Sequence, residues 1–385
     1  MTTAREDLRF DVPSLVADAA AAAGAAPTEF AFLDALEVLA DSMDRQARLT
    51  VPGRAAVRGA LVGALCAQAR LRRAVARHPE IATTEVDRPV FITGLLRSGT
   101  TLVHNLLAQH PGVRAPALWE LMNPVGERGD AASYAALADA AQAYVEEYYQ
   151  VAPDLPKIHF LDARRPDECH RLTANTFTTM VYEARYRVPD YADWLRTVDH
   201  TPAYRFHRAQ LQAILWRMPG GPVVLKDPFH LWYLPALVAA YPQARIVQLH
   251  RDPAVTVPST CSLCVTIRGA RSDTIDRIEI GRQWLAQVER ALAALPRVRT
   301  TALANVPVLD VRYADLVADP IAVLAGVCDF IGAPLTAPAE RAMRDYLAGN
   351  SATKHGRHRY SAAEFGLDEA DIRRRFMSYR HEYGV

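Results

Sequence analysis

Four short apolar runs, rich in β-branched residues, stand out from a chain whose other apolar residues mostly follow helical spacing. The runs occupy residues 90–93, 222–227, 245–252 and 306–313. Segments long enough for helices separate them. Short apolar runs that alternate with helices are typical of the buried parallel strands of an α/β protein. The pattern therefore predicts an α/β fold whose central parallel sheet is flanked by helices.

Residues 12 to 80 show a different pattern. Apolar residues recur at helical spacing in "EFAFLDALEVLADSMDRQARL" and in "GRAAVRGALVGALCAQARLRRAVARH", and Pro52-Gly53 separates the two stretches. We expect a helical N-terminal extension at 1–85, packed on an α/β domain at 86–385 that contains a helical insertion at about 130–220. The extension could close a pocket or form a homodimer contact, and the pattern does not choose between these alternatives.

Composition excludes several classes of protein. The chain has 385 residues, is 50% hydrophobic and has a formal net charge of +1, so it lacks the basic field that favours nucleic acid. No window approaches the roughly 18 apolar residues of a membrane span, and the N-terminus has no signal-peptide pattern. The 5 cysteines are an odd, sparse set, which is typical of a reduced intracellular protein. Composition thus predicts a cytoplasmic globular protein.

The first apolar run leads into a glycine-containing loop, "FITGLLRSGTTLVHNLL" at 91–107. Gly94 and Gly99 have the spacing of the phosphate-binding motif GxxxxGK[ST], but Thr100 stands in place of the lysine and Arg97 lies inside the loop. A strand, a glycine loop and a helix start together suit an anion, which the free N–H groups of the helix bind. The loop predicts a phosphate-like ligand, with a purely structural turn as the alternative. Lack of the lysine disfavours ATP hydrolysis.

Two motifs resemble those of the sulfotransferases. "GLLRSGTTLVHNLLAQHP" resembles their 5′-phosphosulfate loop, particularly in the branch with the sequence Arg-Ser-Gly-Thr-Thr, which includes the tyrosylprotein sulfotransferases. "HRDPAVTVPS" places Ser259 eight residues after Arg251, as in the family's 3′-phosphate site. The resemblance covers about 90 to 382 and implies a P-loop-like sheet, with PAPS (3′-phosphoadenosine 5′-phosphosulfate) as co-substrate and no metal. It implies donor contacts from Arg97, Ser98, Gly99, Thr100, Thr101, Arg251 and Ser259.

The C-terminal third resembles two further family segments. Tyr313, in "VRYADLVADP", matches the tyrosine beside the adenine, although packing on the core is an equal alternative. "KHGRHRY" stands where the family has a loop that closes over the donor, but it lacks the glycine-rich form. There we assign donor contacts to Arg357 and His358, with Lys354 and Tyr360 as alternatives and a solvated basic patch as the competing interpretation.

Sulfuryl transfer requires cations for the leaving group and a base for the acceptor's proton. Arg97 is the candidate for stabilising the leaving phosphate, and Lys226, at the end of its strand, is the candidate for contacting the sulfuryl group. Two residues compete as base. Glu120 lies near the position of the glutamate in the tyrosylprotein branch, and His230 lies near that of the histidine in cytosolic sulfotransferases.

The resulting hypothesis is a sulfotransferase that acts on a hydroxyl or amine of a small-molecule acceptor. A P-loop ATP phosphotransferase and a non-catalytic nucleotide-binding protein are the alternatives. The acceptor is undefined, because the helical segments that would form its pocket contain no recognisable motif. His159 and His170 could line that pocket, but their stretch also suits a simple helix entry, with Asp167 and Glu168 near the positive end of the helix.

Overall fold

The computed structural model describes residues 9–126, 128–350 and 360–385. Each predicted apolar run contains one strand of a central sheet: β1 (Val90–Gly94), β2 (Val224–Lys226), β3 (Arg245–His250) and β4 (Val308–Arg312). The strands are parallel and their order is β2-β1-β3-β4. The predicted parallel α/β sheet is therefore confirmed in the described part of the chain.

Register and burial explain why β1 is so apolar. Phe91 pairs with Leu225 on one side and with Ile246 on the other, so β1 is an inner strand. Val90, Phe91 and Ile92 are completely buried, as expected for a strand that helices cover on both faces. Because all strands point the same way, their carboxyl ends meet at one edge, where open α/β sheets bind ligands.

Helices cover both faces of this sheet. Those before β2 are α1 (Val12–Ala23), α2 (Leu33–Gln46), α3 (Val51–Arg77), α4 (Glu80–Thr83), α5 (Thr100–Leu107), α6 (Leu118–Met122), α7 (Ala131–Val151), α8 (Leu155–Ile158), α9 (His170–Ala174), α10 (Val181–Arg185), α11 (Pro189–Leu195) and α12 (Thr201–Arg217). Those after β2 are α13 (Leu234–Ala240), α14 (Pro253–Gly269), α15 (Arg277–Thr300), α16 (Tyr313–Ala318), α17 (Pro320–Ile331), α18 (Ala337–Gly349), α19 (Glu369–Arg375) and α20 (Met377–Tyr383). Short 3₁₀ helices span Pro27–Glu29, Pro228–Trp232 and Ala362–Phe365.

The N-terminal helices share a hydrophobic cluster with the sheet. Leu36 of α2 and Leu61 of α3 belong to the same buried cluster as Phe91 and Ile246. These helices therefore bury their apolar faces on the α/β core rather than forming a separate core. The domain limits of 85/86 and about 130–220 stay predictions. Within the described ranges, no helix combines the length and apolar character that crossing a membrane requires.

Helix α14 begins directly at the sheet edge, and its first turn shows why. Asp252 is the N-cap residue, and its side chain accepts a hydrogen bond of 2.9 Å from the backbone N–H of Ala254. Pro253 occupies the first helical position, where a missing N–H costs nothing. This start places Ser259 two turns along a helix that faces the loop after β1.

Candidate active site

The loop after β1 adopts a backbone that its glycines permit. Gly94 has φ 149°, and a Cβ atom there would lie 2.5 Å from the carbonyl oxygen of Leu249 on β3. Gly99 has φ 99°, and a Cβ atom there would lie 2.8 Å from the ring of Tyr313. Arg97 has φ 69° despite its side chain, a conformation that costs free energy and is concentrated at functional sites. The loop is thus shaped by close approaches from two neighbouring elements.

Two arginines meet at this loop. Arg251 Nη1 donates a 2.7 Å hydrogen bond to the carbonyl oxygen of Arg97, and its guanidinium lies 3.8 Å from the ring centre of Tyr313. Arg97 donates from Nε to Ser259 Oγ at 3.3 Å and from Nη1 to the carbonyl oxygen of Ile158 at 2.8 Å. Burial lowers the pKa of Arg97, and neighbouring Arg251 lowers it further. Four residues that sequence assigned to donor binding therefore lie together.

The electrostatic balance at the loop favours an anionic ligand. In the part of the chain that the structure describes, neither Arg97 nor Arg251 has a carboxylate within salt-bridge distance. Adjacent, partly buried cations repel each other and lose hydration, and an anion would compensate both costs. Thr100 is 3% exposed at the first turn of α5, and Ser98 is fully buried with no hydrogen-bond partner for Oγ among the described residues.

The loop has Thr100 in place of the lysine of the phosphate-binding motif, but a lysine of strand β2 lies beside it. Lys226, the last residue of β2, is 1% exposed, and its Nζ donates to Thr101 Oγ1 at 3.2 Å and to Glu168 Oε1 at 2.6 Å. Burial would raise the pKa of Glu168, but the Lys226 ammonium, His170 and His159 together outweigh it and hold that pKa well below its ordinary value. An ionised carboxylate and an ammonium therefore adjoin the glycine loop after β1.

A histidine and a second carboxylate extend this pair. His170 Nδ1 lies 3.2 Å from Glu168 Oε2 and 3.9 Å from Asp227 Oδ1. Burial lowers the pKa of His170, but the nearby carboxylates of Asp227 and Glu168 raise it above its ordinary value. The three ligand atoms lie within 4.8 Å of one another, close enough to hold a metal ion. Because Lys226 already binds Glu168, its charge would compete with such an ion, and the cluster suits proton transfer better.

These groups open into one cavity of about 630 Å³. The loop residues form one end of the cavity, and the carboxylate and histidine cluster lies beside it. Aromatic and aliphatic side chains of α7, α10 and α14 form the other end. The lining includes Arg97, Thr100, Thr101, Arg251 and Tyr313, then Lys226, Glu168, His159 and His170, and then Tyr144, Tyr148, Val181, Leu263 and Ile267.

Both bases proposed from sequence lie away from this cavity. Glu120 is buried in an ion pair with Arg114, and its Oε2 accepts a 2.9 Å hydrogen bond from the backbone N–H of Ala117. His230 is completely buried, with Nδ1 2.7 Å from the Tyr204 hydroxyl and Nε2 3.1 Å from the Cys169 thiol. Loss of hydration lowers the pKa of His230 well below its ordinary value. Both residues thus have structural partners, and neither lines the cavity.

Glu168 is the functional candidate that sequence reasoning missed. The sequence suggested only an acid near a helix start at this position. A signal was present in "DECH", which puts acids and a histidine side by side, but the partner Lys226 is 58 residues away. Of the C-terminal candidates, Lys354, Arg357 and His358 lie outside the described residues. Tyr360 packs against the main hydrophobic cluster.

The sequence model of the sulfotransferase family matches residues 89–337, which is more than half of the chain. The chain therefore belongs to the sulfotransferase family. Sulfotransferase STF1 of Mycobacterium tuberculosis H37Rv has a solved structure that is 32% identical, with a TM-score of 0.81 over 96% of this chain and 98% of that one. Sulfotransferase STF9 of Mycobacterium avium, at 23% identity and a TM-score of 0.82 over 97% and 96% of the two chains, has the same fold.

Among curated proteins, the chain is similar to the omega-hydroxy-beta-dihydromenaquinone-9 sulfotransferase Stf3 of Mycobacterium bovis and Mycobacterium tuberculosis. Each is 26% identical over 214 residues, which is 51% of this chain and 51% of the relative. The match thus spans about half the length of these curated relatives. The family agrees with the resemblance in the loop, while the link to the tyrosylprotein branch stays a prediction.

Proposed function

We propose that the protein transfers the sulfuryl group of PAPS to a hydroxyl, or an amine, of a small-molecule acceptor. One observation carries the proposal. The buried Lys226–Glu168 pair adjoins, in a single cavity, a glycine loop where Arg97 and Arg251 lack carboxylate partners among the described residues. A base, a cation for the sulfuryl group and an anion site are thus within reach of one bound ligand.

The residues around the loop fit the donor. Arg251 and Ser259 would bind its 3′-phosphate, and the N–H groups at the start of α5 would bind the 5′-phosphate with the hydroxyls of Thr100 and Thr101. Tyr313 would lie beside the adenine. This arrangement is supported by the contact of Arg251 with Tyr313 and by that of Arg97 with Ser259. No residue in this set needs a metal ion for its part.

These groups account for every bond and proton that changes in the transfer. The bond between sulfur and the oxygen of the 5′-phosphate breaks as the acceptor oxygen bonds to sulfur, and Glu168 accepts the acceptor's proton. The products are a sulfate ester and adenosine 3′,5′-bisphosphate. Arg97 and Lys226 stabilise the charge that develops on the leaving phosphate and on the sulfuryl oxygens.

Lys226 would link base strength to donor binding. In the structure its ammonium is hydrogen-bonded to the base, 2.6 Å from Glu168 Oε1. A sulfuryl group near Thr101 would draw the ammonium toward its oxygens and weaken that bond. The pKa of Glu168 would then rise toward its ordinary value, so that the carboxylate becomes a better proton acceptor once the donor is bound.

The dependence of activity on pH separates Glu168 from His170 as the base. With Glu168, kcat/KM for the acceptor at saturating PAPS should persist as pH falls below 6.5, because the pKa of this carboxyl starts below 4.5. With His170, activity should already decline before the falling pH reaches 6.5, because its neighbours raise its pKa. A pH profile checks this, with circular dichroism at each pH to exclude unfolding. A midpoint above pH 6.5 that His170→Gln abolishes would assign the base to His170.

Calorimetric titration with nucleotides tests the donor site. Without magnesium and with EDTA present, we expect adenosine 3′,5′-bisphosphate to bind well and ADP to bind at least about tenfold more weakly, since ADP offers no 3′-phosphate to Arg251. A preference for ADP, or a need for magnesium, would favour an ATP phosphotransferase. Binding of the bisphosphate with no turnover of PAPS by any acceptor would favour a non-catalytic nucleotide-binding protein.

The cytoplasmic location, metal independence and the homodimer remain proposals. The small-molecule acceptor is supported by the similarity to Stf3, whose name gives a menaquinone derivative as the molecule it acts on. We also keep the division into a helical extension at 1–85 and a sulfotransferase domain at 86–385 as a proposal, supported by the family match at 89–337.

A further inference from the structure

The end of the cavity formed by α7, α10 and α14, where the acceptor would bind and which we call the acceptor end, contains more positive than negative charge. Arg171 and Arg185 line this end, and Arg271 lies behind it. Arg171 has a carboxylate partner, Asp167, 2.5 Å from its Nε. Within the described ranges, Arg185 and Arg271 have no carboxylate within salt-bridge distance. Two guanidinium charges are therefore left uncompensated beside an apolar pocket.

Arg185 has N–H donors that make no hydrogen bond to the described residues. Its hydrogen-bond contact with the described residues joins Nη2 to Nε2 of His170 at 3.3 Å. A guanidinium carries five N–H donors, and a partly buried one without partners costs free energy. Arg185 lies at the end of α10 and lines the cavity, so a ligand can reach these donors.

Tyr144 on α7 lies within the positive potential of these arginines. Burial would raise the pKa of Tyr144, but Arg185, Arg171 and Arg271 together lower it below its ordinary value. The Arg271 guanidinium lies 4.9 Å from the ring centre of Tyr148. The arginines thus act on the same region of the cavity, and none of the described carboxylates there offsets Arg185.

We infer that the acceptor carries a carboxylate, which Arg185 binds in the two-point geometry that suits planar guanidinium and carboxylate groups. The inference rests on the proposed function. His170 touches both Arg185 and Glu168, so one imidazole ring separates the carboxylate site from the base. Val181, Leu263 and Ile267 line the same cavity and give it an apolar wall. The acceptor is therefore a compact hydroxy acid with an apolar or aromatic body.

Matched acceptors test this assignment by binding alone. A series of hydroxyaryl carboxylic acids and their methyl esters would be titrated by calorimetry into the protein saturated with adenosine 3′,5′-bisphosphate. We expect the best acid to bind at least about tenfold more tightly than its ester, and Arg185→Gln to bring the acid-to-ester ratio close to one. Arg185→Lys should restore part of the preference, since it keeps the charge. Arg164→Gln, on the exposed surface, is the matched control and should leave the ratio unchanged.

Each outcome decides whether Arg185 binds a carboxylate or only supports its neighbours. Equal binding of acid and ester, binding of neither, or an acid preference that survives in Arg185→Gln would overturn the inference. A loss of both affinities together in Arg185→Gln would also overturn it, since it would show that Arg185 only positions His170. An acid preference without any sulfation would support the site while counting against the proposed transferase function.

Discussion

Replacing Glu168 with glutamine should lower kcat by about 10²- to 10⁴-fold, the range expected when a general base is removed. Glutamine keeps the shape of the side chain and a hydrogen bond to Lys226, but its amide cannot accept the acceptor's proton. Affinity for adenosine 3′,5′-bisphosphate should change little, because Arg251 and Ser259 are untouched. Steady-state transfer at saturating PAPS measures kcat, and calorimetry measures the affinity for adenosine 3′,5′-bisphosphate.

Glu120→Gln is the matched control, since it makes the same chemical change in a buried carboxylate. It leaves Arg114 without its ion-pair partner, so we expect a lower melting temperature with kcat largely retained. The reverse result, with transfer abolished in Glu120→Gln and normal in Glu168→Gln, would restore Glu120 as the base. It would also require a rearrangement that brings this carboxylate into the cavity.

Replacing Arg251 with alanine should weaken binding of adenosine 3′,5′-bisphosphate by about 10- to 100-fold, because a hydrogen bond to a charged group contributes roughly 1.5–3 kcal/mol. The affinity for ADP should fall much less. Arg97→Ala should have the opposite balance, with a larger loss of rate than of affinity, since Arg97 is assigned to the leaving phosphate. Calorimetry and single-turnover rates on both variants check this.

Arg251 also holds the carbonyl oxygen of Arg97, so its loss could disturb the loop. Arg251→Lys addresses this, because it retains the charge but cannot reproduce the planar contacts, and an intermediate affinity is expected. If Arg97→Ala and Arg251→Ala both lost only affinity, the role assigned to Arg97 in the transfer step would be wrong.

The features that sequence predicted correctly are local ones. Strands β1, β2 and β3 are short apolar runs because helices bury them on both faces, and this leaves a pattern in consecutive residues. Strand β4 lies at the sheet edge and is partly exposed. The loop is recognisable because two close contacts exclude side chains at positions 94 and 99, and the resulting glycines have a fixed spacing in the sequence. The spacing of Arg251 and Ser259 reflects a single helix start at Asp252. Patterns of this kind are visible in the amino-acid sequence alone.

The candidate base is a feature that the sequence alone did not predict. Glu120 and His230 were chosen by their distance from motifs, yet each is buried with a structural partner, Arg114 and Tyr204 respectively. Glu168 is a candidate base only because the order β2-β1-β3-β4 places Lys226 beside the loop and because α9 starts against β2. Strand order is not encoded in any short stretch of residues.

The amino-acid sequence was therefore sufficient for the α/β class, and it located the glycine loop and the two arginines to which we assign donor binding. Periodicity and glycine spacing indicate these features, because both patterns lie in residues that are close together in the chain. Folding decided which carboxylate meets the ammonium of Lys226, and which arginines beside the apolar part of the cavity lack a carboxylate partner among the described residues. Those outcomes depend on contacts between distant segments and on the burial that alters the pKa of each group.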